Sequence, residues 1–400
     1  MRCTQPRRIT RLRLLLRRNN LDVLNSLKDE TDDFGFIFFY LIWLIIYIFS
    51  IFVEFNQPNK VMKRLLFIFG LLLSGINYTI HAQEIPSPQS IIFETDMGND
   101  IDDAMALDIL YKNMDQDRIN LLGISVHKNN PHAAEFIDIM NNWYGHKRIP
   151  IGVNTSSVTD MGAMDYCTKV CAMNDKDGMA LFERSKKPKF EEAVEMYRRI
   201  LAEQDDHSVV IVTVGFSTTM AALLKSPADN YSAMTGKELV EKKVKYFSIM
   251  AGEFDNADHR EFNIEQDLEA AKYFFENSPV PFIVTPFKLG TQVLYPAKSI
   301  LNDFEWGRKH PFIEAYKNYQ TMPYNCCTFD VIATYYACFP ETENLTLSEE
   351  GEVEIYDGGK TRFTAKKGGR FRILSANEEQ CRKIQEYFIS TLTTKPKNIH

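Results

Sequence analysis

The stretch Glu94–Leu107, ETDMGNDIDDAMAL, follows directly on the apolar run Ser90–Phe93 and crowds Glu94, Asp96, Asp100, Asp102 and Asp103 into ten residues. A short apolar run rich in branched residues reads as a buried strand. The Asp-Asp pair ahead of AMAL reads as the start of a helix, because acidic side chains cap and complement a helix N-terminus. Capping accounts for one or two carboxylates. The others repel one another and would raise each other's pKa unless a positive charge sits among them. A bound cation meets that need. An all-oxygen donor set suits a hard ion such as calcium, which takes about six to eight oxygens, better than zinc, which favours His and Cys. The structural alternative is a solvated acidic loop.

Outward from this stretch, short branched runs alternate with longer helical patterns. The expected strands are Ser90–Phe93, Ile119–Val126, Val209–Val214, Tyr246–Met250 and Phe282–Thr285. The expected helices are Asp103–Met114, Ala133–Tyr144, Phe190–Gln204, Thr218–Lys225, Ile264–Asn277 and Thr328–Cys338. That rhythm predicts an α/β fold, an open, mostly parallel sheet with helices on both faces and a Rossmann-like core. No repeat or low-complexity linker follows Pro88, so residues 88–395 read as one domain. In such sheets ligands sit at the carboxyl ends of the strands, where Asp96–Asp103, His127–Asn130, Thr213–Thr219 and Glu253–Asn263 would converge on one rim. Asp330 opens a later helix, where an N-cap is the simplest role.

The first eighty residues read differently. Residues 34–55 are almost wholly apolar and aromatic, long enough to cross a bilayer, and the arginine-rich stretch Arg7–Arg18 precedes them. A second export-type signal then follows in residues 62–82. Met62, Lys63 and Arg64 lead the apolar run Leu65–Leu73, and Ile80-His81-Ala82 before Gln83 resembles a signal-peptidase site. Two tandem signals are hard to justify, so the expectation is a start at Met62, with 1–61 an upstream extension, and an exported, periplasmic or secreted protein. Membrane anchoring through 34–55 is the alternative. No cysteine sits at the cleavage point, so no lipid anchor is expected there.

The chain carries a formal charge of −7; residues 1–82 hold eleven Lys and Arg against six Asp and Glu, which leaves −12 on the remainder. So acidic a body argues against nucleic acid or an anionic membrane as partner and fits small uncharged substrates or a cation. Six cysteines follow the signal region, Cys167, Cys171, Cys326, Cys327, Cys338 and Cys381. An even number in an exported chain raises disulfides, with Cys167–Cys171 the first choice. A zinc site shared with Cys326 and Cys327 and plain buried thiols are the other readings.

The order of motifs resembles the inosine-uridine preferring nucleoside hydrolase family over about 91–374. The matching pieces are ETDMGNDIDDAMAL, LLGISVHKNN, VVIVTVGFSTTMAAL, REFNIEQDLEAA and FDVIATYYA. The resemblance implies hydrolysis of the N-glycosidic bond of ribonucleosides to ribose and free base, with tightly bound calcium as cofactor. It also implies a small-molecule nucleoside as substrate and a homo-oligomer, dimer or tetramer. By position, Asp96 resembles the residue that touches calcium and activates the attacking water. Asp103 resembles a bidentate ligand, Thr213 a backbone-carbonyl ligand and Asp330 the last protein ligand. Asp102, Asn130, Glu261 and Asn263 would contact ribose hydroxyls, and Asp255 or Asn256, the latter preferred, the 5′ end of the sugar. The transition state is oxocarbenium-like, as in glycosidases, so carboxylates around the ring and a base on a calcium-bound water are the chemistry required.

Three departures qualify this transfer. Glu94 stands where the family's signature opens with Asp, and two extra residues separate Asp96 from the Asp102-Asp103 pair, so Asp100 competes with Asp102 for the sugar. Phe329 occupies the place where some members have a His proposed to protonate the leaving base. His127, His132, His259 and His310 are substitutes by residue type only, and Trp306, Tyr316 and Tyr319 are stacking candidates for which packing is the default. Two other functions stay open. One is a calcium-dependent nucleoside or sugar binder without turnover, and the other a haloacid dehalogenase-type phosphatase with Glu94 at the nucleophile position.

Overall fold

Strand β1 (Gln89–Thr95) shows how the sheet is built, because its side chains alternate between two separate apolar cores. Ile91 and Phe93 point into one and Ile92 into the other, all fully buried. Val210 and Val212 against Val209 and Ile211 repeat the alternation on β5 (Val209–Thr213). A strand buried on both faces needs a near-continuous apolar run, which is what these segments supply. The computed structural model describes residues 87–127, 130–154, 156, 165–186, 188–304 and 309–397. The candidate segments 34–55 and 62–82, and Trp306, lie outside them.

With β2 (Ile119–Val126), β3 (Ile151–Val153), β4 (Phe190–Glu192), β6 (Val244–Met250) and β7 (Phe282–Thr285), these strands form a parallel sheet in the order β7-β6-β5-β1-β2-β3-β4. The order reverses at β1, so the crevice beside its carboxyl end is the topological switch point. Glu94 lies in register with Thr213 on one side and Ser125 on the other. The sheet is mixed overall. Beyond β7 it continues into β13 (Phe371–Ser375), parallel to β7, and then into the antiparallel hairpin β11 (Gly351–Tyr356) and β12 (Lys360–Ala365). The short strands β8 (Leu294–Tyr295) and β9 (Cys326–Cys327) pair separately, and the short strand β10 (Thr346–Leu347) pairs antiparallel with β13.

One core packs the helices Asp102–Asp115, Pro131–Tyr144, Pro311–Tyr319, Phe329–Cys338 and Glu378–Thr393; the other packs Ala193–Ala202, Thr218–Lys225, Gly236–Lys243 and Leu268–Asn277. The α/β fold expected from the sequence is the fold observed. Two expected helices are corrected. Phe190–Gln204 begins as edge strand β4 and becomes helical only from Ala193, because Phe190–Glu192 pair with β3. The expected helix Ile264–Asn277 is broken at Asp267 (φ −142°, ψ 75°), whose side chain caps the second piece and accepts a hydrogen bond from Thr218 at 2.6 Å. Among the described residues, no helix is long and apolar enough to cross a membrane.

Candidate active site

The Asp-rich turn folds under the constraint of its glycine. Gly98 has φ +100°, a conformation that favours glycine, and its N–H donates to the Tyr166 hydroxyl at 3.0 Å. Tyr166 in turn donates to the Asp100 carbonyl at 3.1 Å, and Tyr319 donates to the Asp100 carboxylate. The lengthened turn is thus pinned by two tyrosines, with Asp100 half-buried in it. Asp102 and Asp103 open the Asp102–Asp115 helix beyond the turn, and both are fully buried.

Burial, with no cationic partner among the described residues, dominates their electrostatics. Burial and then the neighbouring Asp100 push Asp102 well above the usual carboxylate range, although the Asp330 N–H, donating at 3.0 Å, partly offsets this. Burial, then Asp96, then Asp102 do the same to Asp103. Asp330, in the first turn of Phe329–Cys338, is raised by burial and by Asp102, Asp103, Asp96 and Asp100. Thr95 donates to Asp103 Oδ1, while Asp103 Oδ2 is buried with no hydrogen-bond partner among the described residues. An orphaned carboxylate oxygen among like charges, in an all-oxygen cluster, fits a hard divalent cation. Among the described residues, the set of three ligating side chains whose donors all fall within 4.8 Å is His132, Glu135 and Cys171.

Other expected residues have structural work of their own. Asn130 caps the Pro131–Tyr144 helix, accepting the His132 N–H at 2.8 Å. Glu261 caps Phe262–Gln266, accepting N–H groups of Asn263 at 2.9 Å and of Ile264 and Gly252 at 3.2 Å; burial, with Asp96 adding to it, still lifts its pKa to about 7. Asn263 is buried and donates to the Val214 carbonyl at 2.9 Å, at the end of β5. Asn256 and Asp255 lie on an exposed loop held by Glu253, which accepts both backbone N–H groups, while Asp255 pairs with Lys288 at 2.6 Å. The structure thus brings Asp96, Asp102, Asp103 and Asp330 together, with Glu261 near Asp96, and leaves Asn256 on the outer loop.

Thr213 belongs to a chain that the sequence reading missed. Its hydroxyl donates to Glu94 Oε2 at 2.5 Å; Glu94 Oε1 bonds His127 Nδ1, and His127 Nε2 accepts the Phe216 N–H at 2.8 Å. Burial lowers the His127 pKa and Glu94 outweighs it, for a net upward direction. The Phe216 amide nevertheless requires an unprotonated Nε2, and that geometry assigns the neutral tautomer with its proton on Nδ1. A Cβ on Gly215 would come within 2.5 Å of His127 Cε1 and 2.8 Å of the Asp96 nitrogen, so only glycine fits there. The available signal was the pairing of Glu at the end of one strand with His at the end of its neighbour.

None of the four histidines is placed as an evident acid for the leaving base. His127 is locked behind Glu94, His132 bonds Glu135, and His310 is buried beside Asp108. His259 stacks at 4.3 Å on Phe287, whose ring stacks at 5.2 Å on Phe329. Tyr316 is buried and packs on Tyr324, whereas Tyr319 reaches Asp100. The expected Cys167–Cys171 disulfide is absent. The two sit four apart on one short helix, with Cys167 beside Gly98 and Cys171 beside His132.

The fold and this rim define a nucleoside hydrolase-like protein. Residues 91–386 match the inosine-uridine preferring nucleoside hydrolase family, and the chain belongs to it. Similar solved structures include a plant nucleoside hydrolase (19% identity, TM-score 0.58, 77% of this chain and 100% of that one). A purine-preferring ribonucleoside hydrolase from Gardnerella vaginalis is 16% identical, with TM-score 0.59, covering 76% of this chain and 99% of that one. The type III effector XopQ, complexed with adenosine diphosphate ribose, is 14% identical with TM-score 0.56, covering 77% and 94%. No curated protein matches the chain.

Proposed function

We propose that the chain hydrolyses the N-glycosidic bond of ribonucleosides, releasing ribose and free base. The carrying observation is the buried, same-sign cluster of Asp96, Asp102, Asp103 and Asp330 at the switch point of this fold, with Asp103 Oδ2 lacking a hydrogen-bond partner among the described residues. Asp96, Asp103 and Asp330 would hold a divalent cation, calcium by the chemistry of the donors, with the Thr213 carbonyl as the expected fourth protein ligand. When bound, that ion would anchor the ribose diol and make a nearby water more acidic.

The chain's own residues do the rest. Asp96, at the carboxyl end of β1, takes the proton of the attacking water. Asp102, buried at the helix start, faces the sugar hydroxyls, and Asp100 stays bound to Tyr319. Glu261 and Asn263 line the ribose from the β5–β6 side and Asn130 from the β2 side, while Asn256, on its exposed loop, is the expected contact to the 5′ end. Negative charge around the ring favours the positive charge developing on the ribosyl carbon. Glu94 acts through Thr213 and His127 to hold β1, β2 and β5 in place. Its complete burial behind those partners argues against a phosphatase nucleophile. By the same reading the protein works after export, as a homo-oligomer.

Incubation with inosine, uridine and p-nitrophenyl riboside, with and without chelator, should release ribose only in the cation-loaded protein. Phe329, a ring where an acid is expected, supports a second reading as a binder. Nucleoside binding without ribose release would establish that reading and overturn hydrolysis.

A further inference from the structure

His132, Glu135 and Cys171 come from elements other than those that carry the carboxylate cluster and differ from it in chemistry. His132 and Glu135 are three apart in the first turns of Pro131–Tyr144, so they share one face. Cys171 comes from the end of the Tyr166–Cys171 helix, with Sγ 3.7 Å from the His132 carbonyl. One imidazole nitrogen, one carboxylate oxygen and one sulfur have donor atoms all within 4.8 Å of one another. His132 Nδ1 and Glu135 Oε2 are 2.8 Å apart. Zinc bonds of about 2.0–2.3 Å place neighbouring donors of a tetrahedron about 3.3–3.8 Å apart, a separation these side chains reach by small rotations.

We propose that these three side chains form a binding site for a borderline-soft divalent cation of the zinc type. The donor set is the argument for the ion class, since nitrogen and sulfur ligands select zinc over calcium or magnesium. Arg184 supports the assembly from behind. Its Nη1 pairs with Glu135 Oε1 and its Nη2 donates to the Cys171 carbonyl at 2.8 Å, so one guanidinium holds both ligand-bearing helices in register while leaving Glu135 Oε2 to the site. Asp138 and Asp165 lie near Cys171 and offset the added positive charge. The His132 side chain is 40% exposed and that of Glu135 23%, so a fourth position opens to solvent, as in three-ligand zinc sites. Binding replaces the proton on His132 Nδ1 and the thiol proton of Cys171, and both go to solvent. Because Asn130 caps the same helix turn through the His132 amide, occupancy would also stiffen that end of the rim.

Cobalt(II) titration of the full chain in saturating calcium tests the site by its thiolate-to-cobalt absorption, which calcium sites lack. The expected result is one equivalent bound with that band, displaced by zinc. The band should vanish in Cys171→Ser and persist in Cys381→Ser. In His132→Ala, at a partly exposed position, affinity should fall about tenfold or more with one ligand of three gone. If Cys171→Ser fails to fold, His132→Ala carries the test alone. No band in the wild type, a band retained in Cys171→Ser, or unchanged affinity in His132→Ala overturns the proposal, whatever the outcome of the ribose-release assay.

Discussion

The Asp102–Asp115 helix holds two buried acidic sites little more than a turn apart, and they are solved in opposite ways. At its start, Asp102 and Asp103 meet other carboxylates, and both are pushed to high pKa. Further along, Asp108 is equally buried, yet its pKa is lowered, because Lys112 at 2.7 Å and His310 overcome the burial that would raise it. The Tyr144 hydroxyl also bonds Asp108, and Lys112 donates to the Leu392 carbonyl at 2.6 Å. The second site is completed by the protein itself. Among the described residues the first has no cationic partner, and under the proposed function a bound cation completes it, which is the physical difference between a structural ion pair and a ligand site.

The largest expected effect tests the chemistry of the first site. Asp96→Asn keeps an oxygen for the cation and removes the base, so kcat should fall about 10²- to 10⁴-fold with the cation retained. Asp100→Asn should cost far less, because its carboxylate serves Tyr319. A greater loss of kcat in Asp100→Asn, with cation still bound, would reassign the base. Steady-state kinetics with elemental analysis of both variants decides it.

Next in size is a direct contrast in stability. Lys112→Met leaves Asp108 buried without its cation and should destabilise by about 3–5 kcal/mol in urea unfolding. Asp103→Asn, measured in chelator, should be neutral or stabilising because it relieves repulsion. Similar destabilisation in both would show that the two sites do not differ as described.

A smaller effect sharpens the second site. Burial lowers the His310 pKa from 6.5 to about 4, despite Asp108. The folded protein therefore keeps it neutral while the unfolded chain takes up a proton, so its contribution to stability is intact above pH 6.5 and is lost as pH falls toward 4. His310→Gln should flatten the stability profile across that window in parallel urea titrations. An unchanged slope would remove His310 from the pH response.

Much of this was legible in the chain, for physical reasons that particular residues show. Branched runs such as Val209–Thr213 can be little but buried strands, and an Asp-rich turn after such a strand marks a rim site. What the sequence hid depends on contacts between distant segments. Glu94 and His127 are thirty-three residues apart and meet only because β1 and β2 pair in register. Phe190–Glu192 has helical neighbours and is recruited to the sheet edge by β3. Asp267 looks like a mid-helix residue until Thr218 reaches it. Asn130 and Glu261 carry local caps that compete with, or prearrange, their expected sugar contacts, a duality that composition does not signal. The strands β11–β13 escape the sequence reading although β11 alternates Val353 and Ile355 with Glu352 and Glu354, because β11 and β12 are largely polar and only half-buried.

The central claim is that the carboxylate cluster lacks only a cation. Equilibrium dialysis of the wild-type chain against calcium, with elemental analysis and paired thermal unfolding with and without chelator, addresses it without reference to activity. The account predicts one calcium per chain at this cluster, lost in Asp103→Asn, and a higher Tm for the loaded wild type. A wild-type chain that binds no divalent cation there and unfolds at the same temperature in chelator would contradict it.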